Sequence, residues 1–276
     1  MDIPRPTVRR AVAAGLAGAT ALVLAVQLPG SATAAPDTGR TAAAGVLADD
    51  AYYQDAEGKT GQELKAALHR IISSGVETLS YSQVWDALKQ TDEDPNNPSN
   101  VILLYTGRSQ SKDSNGGDPD QWNREHVWAK SHGDFGTSAG PGTDVHHLRP
   151  TDVSVNSTRG NLDFDNGGQE VGEAPGNYVD GDSFEPRDEV KGDVARMLFY
   201  MAVRYEGDDG FPDLEVNDRV GNGSAPYMGK LSVLKQWHRQ DPPDAFEQRR
   251  NDVIYNDIQH NRNPFIDHPE WVEEIW

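Results

Sequence analysis

The sequence predicts an α+β fold, a mostly helical single domain built around a central strand–loop–strand–helix segment. Apolar residues recur at helical spacing in several stretches on both sides of this centre. Short apolar runs of strand length occur in it and just before it. No internal repeat and no linker divides the chain beyond its N-terminal region. Of the 276 residues, about 240 remain after that region, enough for one domain with a core of ordinary size.

The N-terminal region has the layout of a secretory signal. Three arginines precede an apolar run over residues 11–28, and small residues follow up to Ala35. A positive start, a short apolar middle and an Ala-x-Ala cleavage site predict a signal peptide over residues 1–35. A membrane anchor is the alternative, but the run is shorter than the ~20 residues that a spanning helix needs. The pair Arg9-Arg10 lacks the rest of a twin-arginine motif, which favours the general secretory route.

Two further ranges complete the predicted layout. Residues 36–51 are rich in Ala, Gly and Thr, and we expect them to be a flexible segment. Residues 52–276 are expected to form the ordered domain. They contain no apolar run long enough to cross a bilayer. The sequence therefore predicts a secreted, extracellular protein that leaves the membrane after signal cleavage and is a monomer.

Composition excludes several kinds of chemistry. The chain has no cysteine, which excludes disulfides, thiol catalysis and cysteine-bound zinc. It has 44 acidic and 25 basic residues, for a formal net charge of −19. Such a charge argues against broad electrostatic binding to nucleic acid and favours cations as partners. A polyanion would need a local basic patch or a bridging metal ion.

Two helices and a strand are predicted before the centre. Residues 60–73 place apolar side chains on one helical face, and Thr60 followed by Glu63 predicts a capping box. A second helix is predicted over residues 82–90. The polar cluster at 92–98 resembles the start of a calcium loop but lacks its glycine and closing glutamate, so a solvated turn is preferred. The apolar run at 101–105 predicts a buried strand.

Three helices are predicted after the centre. Residues 162–188 are rich in Gly and Asp and are expected to be irregular. Residues 189–206 give the strongest helical pattern, with apolar residues on enough of the surface to require a place in the core. Further helices are predicted over 230–241 and 244–260, and a tail follows.

The central segment, about residues 121–162, concentrates side chains that bind metals, protons and phosphate. Its predicted elements are a strand over 122–128, a Gly-rich loop, a strand over 145–148 and a helix that carries Asn156. Thr151 or Asp152 can cap that helix. Four of the eight histidines of the chain lie in this segment. A stretch of this composition predicts a functional site.

The adjacent pair Glu125-His126 and the later Asn156 suggest a specific chemistry. Glutamate and asparagine oxygens form a hard, incomplete shell that suits Mg²⁺. A neutral imidazole beside it is a suitable general base near neutral pH. Nearby arginines could grip a phosphate through two hydrogen bonds. These residues predict a phosphodiester hydrolase; for Asn156, a helix cap is the structural alternative.

Three motifs of the segment resemble the endonuclease I family of secreted or periplasmic bacterial nucleases. They are Asn-Arg-Glu-His-Val-Trp at 123–128, Asp-Val-His-His-Leu-Arg-Pro at 144–150 and Val-Asn-Ser-Thr-Arg-Gly-Asn at 155–161. Residues 52–95, 191–196 and 261–269 are also similar to family segments, so the resemblance covers nearly all of the predicted domain.

The resemblance implies a fold centre, a metal and a substrate. The centre would be a ββα-metal (His-Me) finger, with His126 as the general base and Glu125 and Asn156 as metal ligands. The metal is expected to be Mg²⁺, with Mn²⁺ or Ca²⁺ as alternatives. The substrate would be DNA, with RNA as a further candidate, cut with little sequence preference to leave 5′-phosphates.

One departure from the family leaves a role open. Better-studied members carry a longer insertion after the Glu-His pair, with an arginine that steadies the phosphate, and they use disulfides. Residues 127–148 contain no arginine here. We name Arg149 and Arg159 as the catalytic cations, and Arg124 and Lys130 could also hold the phosphate. Supporting roles are predicted for Arg124, Asp144, His146, His147 and Asn161.

Two other functions compete with the nuclease. One is a zinc-dependent hydrolase built from His126, His146 and His147, although the HExxH helix pattern of a common protease type is absent. The other is a non-catalytic secreted module that binds cations through its acidic surface. Digestion of plasmid DNA with Mg²⁺, with and without chelator, separates these three hypotheses.

Overall fold

The computed structural model describes residues 51–276, which form an α+β arrangement within one compact unit. The α+β, mostly helical single domain predicted from the sequence is confirmed. The predicted signal peptide over 1–35 and residues 36–50 of the predicted flexible segment lie outside the described residues. Within 51–276, no helix combines the length and apolarity that crossing a bilayer requires.

Eight α-helices occur in the described residues. They are α1 (Gly61–Ile72), α2 (Val84–Thr91), α3 (Val153–Arg159), α4 (Lys191–Arg204), α5 (Leu231–Gln240), α6 (Ala245–Val253), α7 (Pro264–Asp267) and α8 (Trp271–Ile275). Short 3₁₀ turns cover Gln54–Ala56 and Asp188–Val190, and a π-helical turn over Ile254–Ile258 extends α6. The predicted helices at 60–73, 82–90, 189–206 and 230–241 each match one of these within a few residues. The helix predicted over 244–260 ends its regular part at Val253.

The strands of the described residues are short. They are β1 (Glu93–Asp94), β2 (Asn97–Ile102), β3 (Ser109–Ser111), β4 (Trp122–His126), β5 (Leu148–Asp152), β6 (Asp163–Phe164), β7 (Gln169–Glu170), β8 (Tyr178–Val179), β9 (Ser183–Glu185), β10 (Glu215–Val216) and β11 (Tyr227–Met228). β1–β2–β3 form an antiparallel sheet, β4 and β5 a hairpin, and β10 and β11 a parallel pair. β6, β9, β8 and β7 form a small mixed sheet in that order.

Helix α4 is the centre of the core. All of its residues are buried, as its apolar sequence predicts, and it packs against α1 and α5. Its charged residues are paired inside the protein: Arg196 donates three hydrogen bonds to Glu247 of α6 at 2.6–2.9 Å. This helical layer contacts the hairpin through the Asp193–Arg149 pair, and the hairpin carries the residues of interest.

The hairpin and α3 form the predicted strand–loop–strand–helix segment. Strands β4 and β5 pair in antiparallel register, with Glu125 opposite Arg149 and His126 opposite Leu148. Helix α3 starts directly after β5 and contacts both strands. The order of elements predicted for residues 121–162 is therefore confirmed.

The second strand of the hairpin was predicted three residues too early. Residues 145–147 form a turn, because the Asp144 carboxylate accepts a hydrogen bond from the backbone N–H of His146 and the Asp144 carbonyl accepts one from His147. The strand begins at Leu148 and includes Pro150. Proline fits there since the hairpin has only two strands, and its carbonyl accepts a hydrogen bond from Leu104 N–H at 2.9 Å.

Two other expectations differ from the structure. The strand predicted over 101–105 lies at Asn97–Ile102, and the buried residues 103–105 turn towards the hairpin. Residues 162–188, expected to be irregular, contain the small mixed sheet. Its strands are two or three residues long, too short for an alternating pattern to be visible in the sequence.

Candidate active site

A cleft of about 280 Å³ opens between the hairpin, α3 and the segment that precedes α2. It is lined by Tyr81, Asn123, Arg124, Glu125, His126, Ala129, Lys130, Ser131, Asn156, Arg159, Gly160 and Asn161. The structure thus brings Arg124, Glu125, His126, Asn156, Arg159 and Asn161 together at one cleft. Asp144, His146, His147 and Arg149 are not among its lining residues.

His126 is fixed by a backbone carbonyl. It is the last residue of β4, its side chain is buried, and its Nε2 lies 3.1 Å from the Gly142 carbonyl oxygen. Since a carbonyl only accepts, Nε2 carries the hydrogen and donates it. Nδ1 is then the unprotonated nitrogen, and it has no hydrogen-bond partner among residues 51–276. The imidazole therefore presents a free lone pair in a fixed orientation.

Burial also keeps this imidazole neutral. It lowers the pKa of His126 to about 3, and the neighbouring His147 ring, 5.6 Å away between centroids, acts in the same direction. The Gly142 carbonyl opposes the shift but does not overcome it. The imidazole is therefore neutral at any pH near neutrality, the form that a general base needs, and its Nδ1 lone pair is free.

Glu125 is a buried carboxylate with one oxygen in use. Its Oε1 accepts a hydrogen bond from the Tyr105 hydroxyl at 2.8 Å and lies 3.4 Å from Arg159 Nη1. Its Oε2 accepts no hydrogen bond within the described residues. Burial raises the pKa of Glu125, against the opposing effects of Arg159 and Tyr105. A bound cation would stabilise the ionised form that burial disfavours.

Asn156 lies in the middle of α3 and is not a cap. The helix runs from Val153 to Arg159 with Asp152 at the N-cap position, so the alternative that Asn156 is a helix cap is wrong. Asn156 is half-buried at the cleft, and its side-chain amide makes no hydrogen bond with any described residue. An amide oxygen in this position is available to a ligand.

Arg159 links α3 to the strand below it. Its guanidinium donates to the carbonyls of His126 and Val127 at 3.0 and 2.7 Å, and it lies beside Glu125. Only 1% of its surface is exposed, although it forms part of the cleft wall. Arg159 therefore positions the Glu125-His126 pair more than it reaches into the cleft.

Arg149 was predicted as a catalytic cation, and its position argues against that role. It is buried, its Nε donates to Asp92, and its Nη1 donates to Asp193 at 3.1 Å. These carboxylates raise the pKa of Arg149 although burial itself acts to lower it. This guanidinium is shared between two buried carboxylates outside the cleft, so its role is to stabilise the fold.

Asp144 and His147 support the loop that carries Gly142, whereas the His146 ring contacts Asn261 and Tyr200. The Asp144 carboxylate accepts from the hydroxyls of Tyr200 and Tyr205, both at 2.9 Å. His147 Nε2 donates to the Pro141 carbonyl at 2.7 Å, and its Nδ1 accepts from the Trp128 N–H at 3.3 Å. For Asp144 and His147, these contacts fit the predicted supporting role through the loop.

The same contacts argue against the zinc alternative. Both ring nitrogens of His147 are engaged, and His146 Nε2 donates to Asn261, 3.2 Å away. In the part of the chain that the structure describes, no group of three or more His, Asp or Glu side chains is placed to hold a metal ion. His126, His146 and His147 therefore do not form a zinc site.

Sequence reasoning missed three contributors to the site. Tyr81 stacks near His126, with 5.9 Å between ring centroids and 25° between planes. Tyr105 was only part of a predicted apolar strand, and Gly142 only part of a Gly-rich loop. No local pattern identifies any of them, because each acts on a residue far away in the chain.

Comparison with known proteins finds one matching family and two closely similar proteins. A family model described as Endonuclease I matches residues 60–270. The chain is 69% identical over 253 residues to an extracellular ribonuclease of Bacillus amyloliquefaciens, covering 92% of this chain and 87% of that protein. It is 74% identical over 227 residues to an extracellular ribonuclease of Bacillus subtilis (strain 168), covering 82% and 78%.

These matches define the protein as a nuclease, a hydrolase whose substrate is nucleic acid. The chain belongs to the Endonuclease I family, which is metal-dependent, and it is secreted to the extracellular space. The predicted family, enzyme class and localisation are confirmed. The hypothesis of a non-catalytic cation-binding module is wrong.

Proposed function

We propose that this protein is a metal-dependent endonuclease that hydrolyses phosphodiester bonds of DNA and RNA with little sequence preference. The observation that carries the proposal is the meeting of Glu125, His126 and Asn156 at one cleft. Their supports, an antiparallel hairpin followed by a helix, fit a ββα-metal (His-Me) finger. These three residues are proposed as the core of the active site.

His126 is the general base in this proposal. Its Nδ1 takes a proton from a water molecule while Nε2 stays hydrogen-bonded to Gly142. The water oxygen bonds to phosphorus as the bond from phosphorus to the 3′ oxygen breaks. The 3′ oxygen leaves and takes a proton from solvent, so the products carry a 5′-phosphate and a 3′-hydroxyl. The fixed imidazole orientation supports this role, since a base must be held within hydrogen-bond reach of its proton.

Glu125 and Asn156 would hold the metal. Their chemistry fits a hard cation. Glu125 Oε2 belongs to a buried carboxylate, and the Asn156 amide has no partner among the described residues, so both can supply oxygen ligands. Two protein oxygens leave room for water, a shell that suits Mg²⁺, with Mn²⁺ or Ca²⁺ as alternatives. When bound, the ion would stabilise the charge that develops on the phosphate and its leaving oxygen.

The local charge at the cleft supports a polyanionic substrate. Arg124, Lys130 and Arg159 face one carboxylate, Glu125, among the lining residues, which leaves a formal charge of +2 (three cations minus one anion). The whole chain carries −19. A small basic cleft on an acidic protein favours contact with a few phosphates and little sequence reading.

Attack by water leaves the sugar uninvolved, which supports action on both DNA and RNA. The two relatives are named ribonucleases, and we propose that RNA is a substrate here also. A reaction that used the RNA 2′-hydroxyl as nucleophile would instead exclude DNA. The two possibilities differ in their products.

The test compares DNA, RNA and 2′-O-methyl RNA oligonucleotides with Mg²⁺, with and without chelator. We expect cleavage of all three, loss of cleavage with chelator and products with 5′-phosphates. His126→Ala should lose at least 1,000-fold in rate, roughly the contribution of a general base, while His260→Ala, at an exposed site, should not. Products with 2′,3′-cyclic phosphates, or full activity of His126→Ala, would overturn the proposal.

We also propose the domain layout predicted from the sequence: a signal peptide over 1–35, a flexible segment over 36–51 and a monomeric nuclease domain over 52–276. N-terminal sequencing of the secreted protein and its mass in solution test this layout. A mature N-terminus inside the domain, or a dimeric mass, would contradict it.

A further inference from the structure

We propose that Arg124, clamped between Tyr81 and Trp85, is the residue that binds the substrate phosphate at the cleft. This inference rests on the proposed function and fills the role left open by the arginine-free loop between β4 and β5. Its basis is a comparison of the four cations that the sequence offered for this role: Arg124, Lys130, Arg149 and Arg159.

Two of the four cations are already used. Arg149 is shared between Asp92 and Asp193 and does not line the cleft. Arg159 donates to three backbone carbonyls and lies beside Glu125, with 1% of its surface exposed. Although Arg159 Nε has no partner among the described residues, each of these two guanidinium groups already has a carboxylate beside it.

Arg124 lines the cleft and forms no ion pair with any carboxylate of residues 51–276. Its Nη1 donates to the Tyr81 carbonyl at 2.6 Å, and its Nε is buried without a partner. Its Nη2 has no hydrogen-bond partner among the described residues. An anion is the missing partner.

Two aromatic rings hold this guanidinium in place. Its central carbon lies 3.6 Å from the ring centroid of Tyr81 and 3.9 Å from that of Trp85. Stacking of this kind suits the planar guanidinium and fixes its orientation before substrate binds. An oriented donor loses less conformational entropy on binding than a free side chain does.

Arg124 also lies at the correct place in the strand. It is two residues before His126 on β4, and alternate residues of a strand project to the same face. Both side chains line the same cleft. The Tyr81 ring packs against the Arg124 guanidinium and also lies near the His126 ring. The clamp therefore joins the proposed phosphate ligand to the proposed base.

Lys130 is the competing candidate. It is exposed on the rim of the cleft, has no ion-pair partner in residues 51–276 and is held by no ring. A flexible ammonium attracts phosphate as a point charge but does not fix its orientation. We assign the directed contact to Arg124.

The experiment separates phosphate contact from general charge. In a His126→Ala background, binding of duplex DNA is measured in EDTA over a range of salt concentrations. Arg124→Ala should reduce the slope of log K against log salt by about 0.9, the loss of one phosphate contact. Arg70→Ala removes the same charge from an exposed site at a different cavity, and it should leave the slope unchanged.

Turnover adds a second readout. In the otherwise wild-type enzyme, Arg124→Ala should lower kcat/KM by about 10- to 100-fold, the effect of one charge-assisted contact. Arg124→Lys should keep the salt slope but not recover kcat/KM, because an ammonium cannot form the planar fork. It also serves as the test if Arg124→Ala fails to fold.

Two results would overturn the proposal: a salt slope for Arg124→Ala equal to that of Arg70→Ala, or full kcat/KM for Arg124→Lys. A loss of slope in Lys130→Ala alone would move the role to that residue. The proposed function stands or falls separately, on the activity of His126→Ala in the Arg124 wild-type protein.

Discussion

His126 Nε2 and the carbonyl oxygen of Gly142 lie 3.1 Å apart, joined across 16 residues of the chain. This hydrogen bond sets the tautomer of the imidazole and leaves Nδ1 for proton transfer. The carbonyl is held in turn by its loop, in which His147 binds Pro141 and Asp144 binds two buried tyrosines. The proposed base is thus oriented by a loop that makes no contact with substrate in the proposed mechanism.

Substitution of Gly142 should lower turnover through this contact. A Cβ at Gly142 would lie 2.6 Å from the Gly136 carbonyl oxygen and 2.8 Å from Thr137 Cα, so the backbone must shift. We expect Gly142→Ala to reduce kcat by about 10-fold or more, the usual cost of a misplaced catalytic group. Steady-state kinetics on a DNA substrate measure the effect.

Gly136→Ala is the matched control in the same loop. A Cβ there meets nothing within 4 Å, although its φ of +65° makes the substitution strained by about 1–2 kcal/mol. It should lower the free energy of unfolding and leave kcat close to wild type. Equal kcat in the two variants would argue that Gly142 does not orient His126.

Asn156→Ala should raise the metal requirement without weakening the fold. The amide makes no hydrogen bond within residues 51–276, and alanine is the better helix former. We expect the Mg²⁺ concentration for half-maximal activity to rise about 10-fold, as for loss of one ligand contact, and the metal-free Tm to stay the same or rise slightly. Ser157→Ala, at the next and exposed position of α3, should change neither quantity.

Tyr105→Phe should lower the affinity for the metal and so raise the Mg²⁺ requirement, because Tyr105 supports the proposed ligand Glu125. The substitution removes the hydroxyl that donates to Glu125 Oε1 at 2.8 Å and leaves the ring in place. Loss of such a supporting hydrogen bond typically costs about 10-fold or more in metal affinity. Tyr53→Phe removes a hydroxyl–carboxylate bond of 2.7 Å to Asp267, away from the cleft, and should leave the Mg²⁺ titration unchanged. Identical titrations for both variants would contradict the role given to Tyr105.

Arg149→Met should destabilise the protein and spare catalysis. It leaves the buried carboxylates of Asp92 and Asp193 without one of their cations. Breaking a buried ion pair in this way costs about 3–5 kcal/mol, which urea unfolding would detect. The exposed pair Arg239–Glu273 supplies the control, since Arg239→Met should cost less than about 1 kcal/mol. A large loss of kcat in folded Arg149→Met would return Arg149 to the list of catalytic residues.

Stability should fall as the pH drops below about 6.5. Burial lowers the pKa of His146, His147 and His238 to about 4. Between the unfolded value of about 6.5 and this folded value, the unfolded chain binds protons that the folded chain does not, so acid favours unfolding. For His238 alone this amounts to about 1–2 kcal/mol between pH 7 and pH 5.

His238→Gln isolates this effect. The free energy of unfolding of this variant should vary less with pH than that of wild type, because the group that titrates is gone. His260→Gln changes an exposed histidine and should keep the wild-type pH dependence. A wild-type slope for His238→Gln would show that the pKa of His238 is the same in the folded and unfolded states.

Much of the fold was predictable because it depends on local patterns. The apolar faces of α1 and α4 follow from residue spacing within each helix. The order of elements around Glu125, His126 and Asn156 followed from short motifs and turn residues. This order also explains why the three residues meet at one cleft, because α3 starts directly after β5 and packs on the hairpin.

The roles of the arginines could be decided only by the tertiary structure. Arg124, Arg149 and Arg159 each lie in one of the three family-like motifs and look alike in the sequence. Their difference comes from their partners in the fold. Asp92 and Asp193 neutralise Arg149. Glu125 and three carbonyls hold Arg159, whereas Tyr81 and Trp85 clamp Arg124 without neutralising it. The sequence by itself determined which side chains reach the hairpin. Which of their charges stay uncompensated depends on contacts between residues dozens of positions apart, and only the packed chain brings those together.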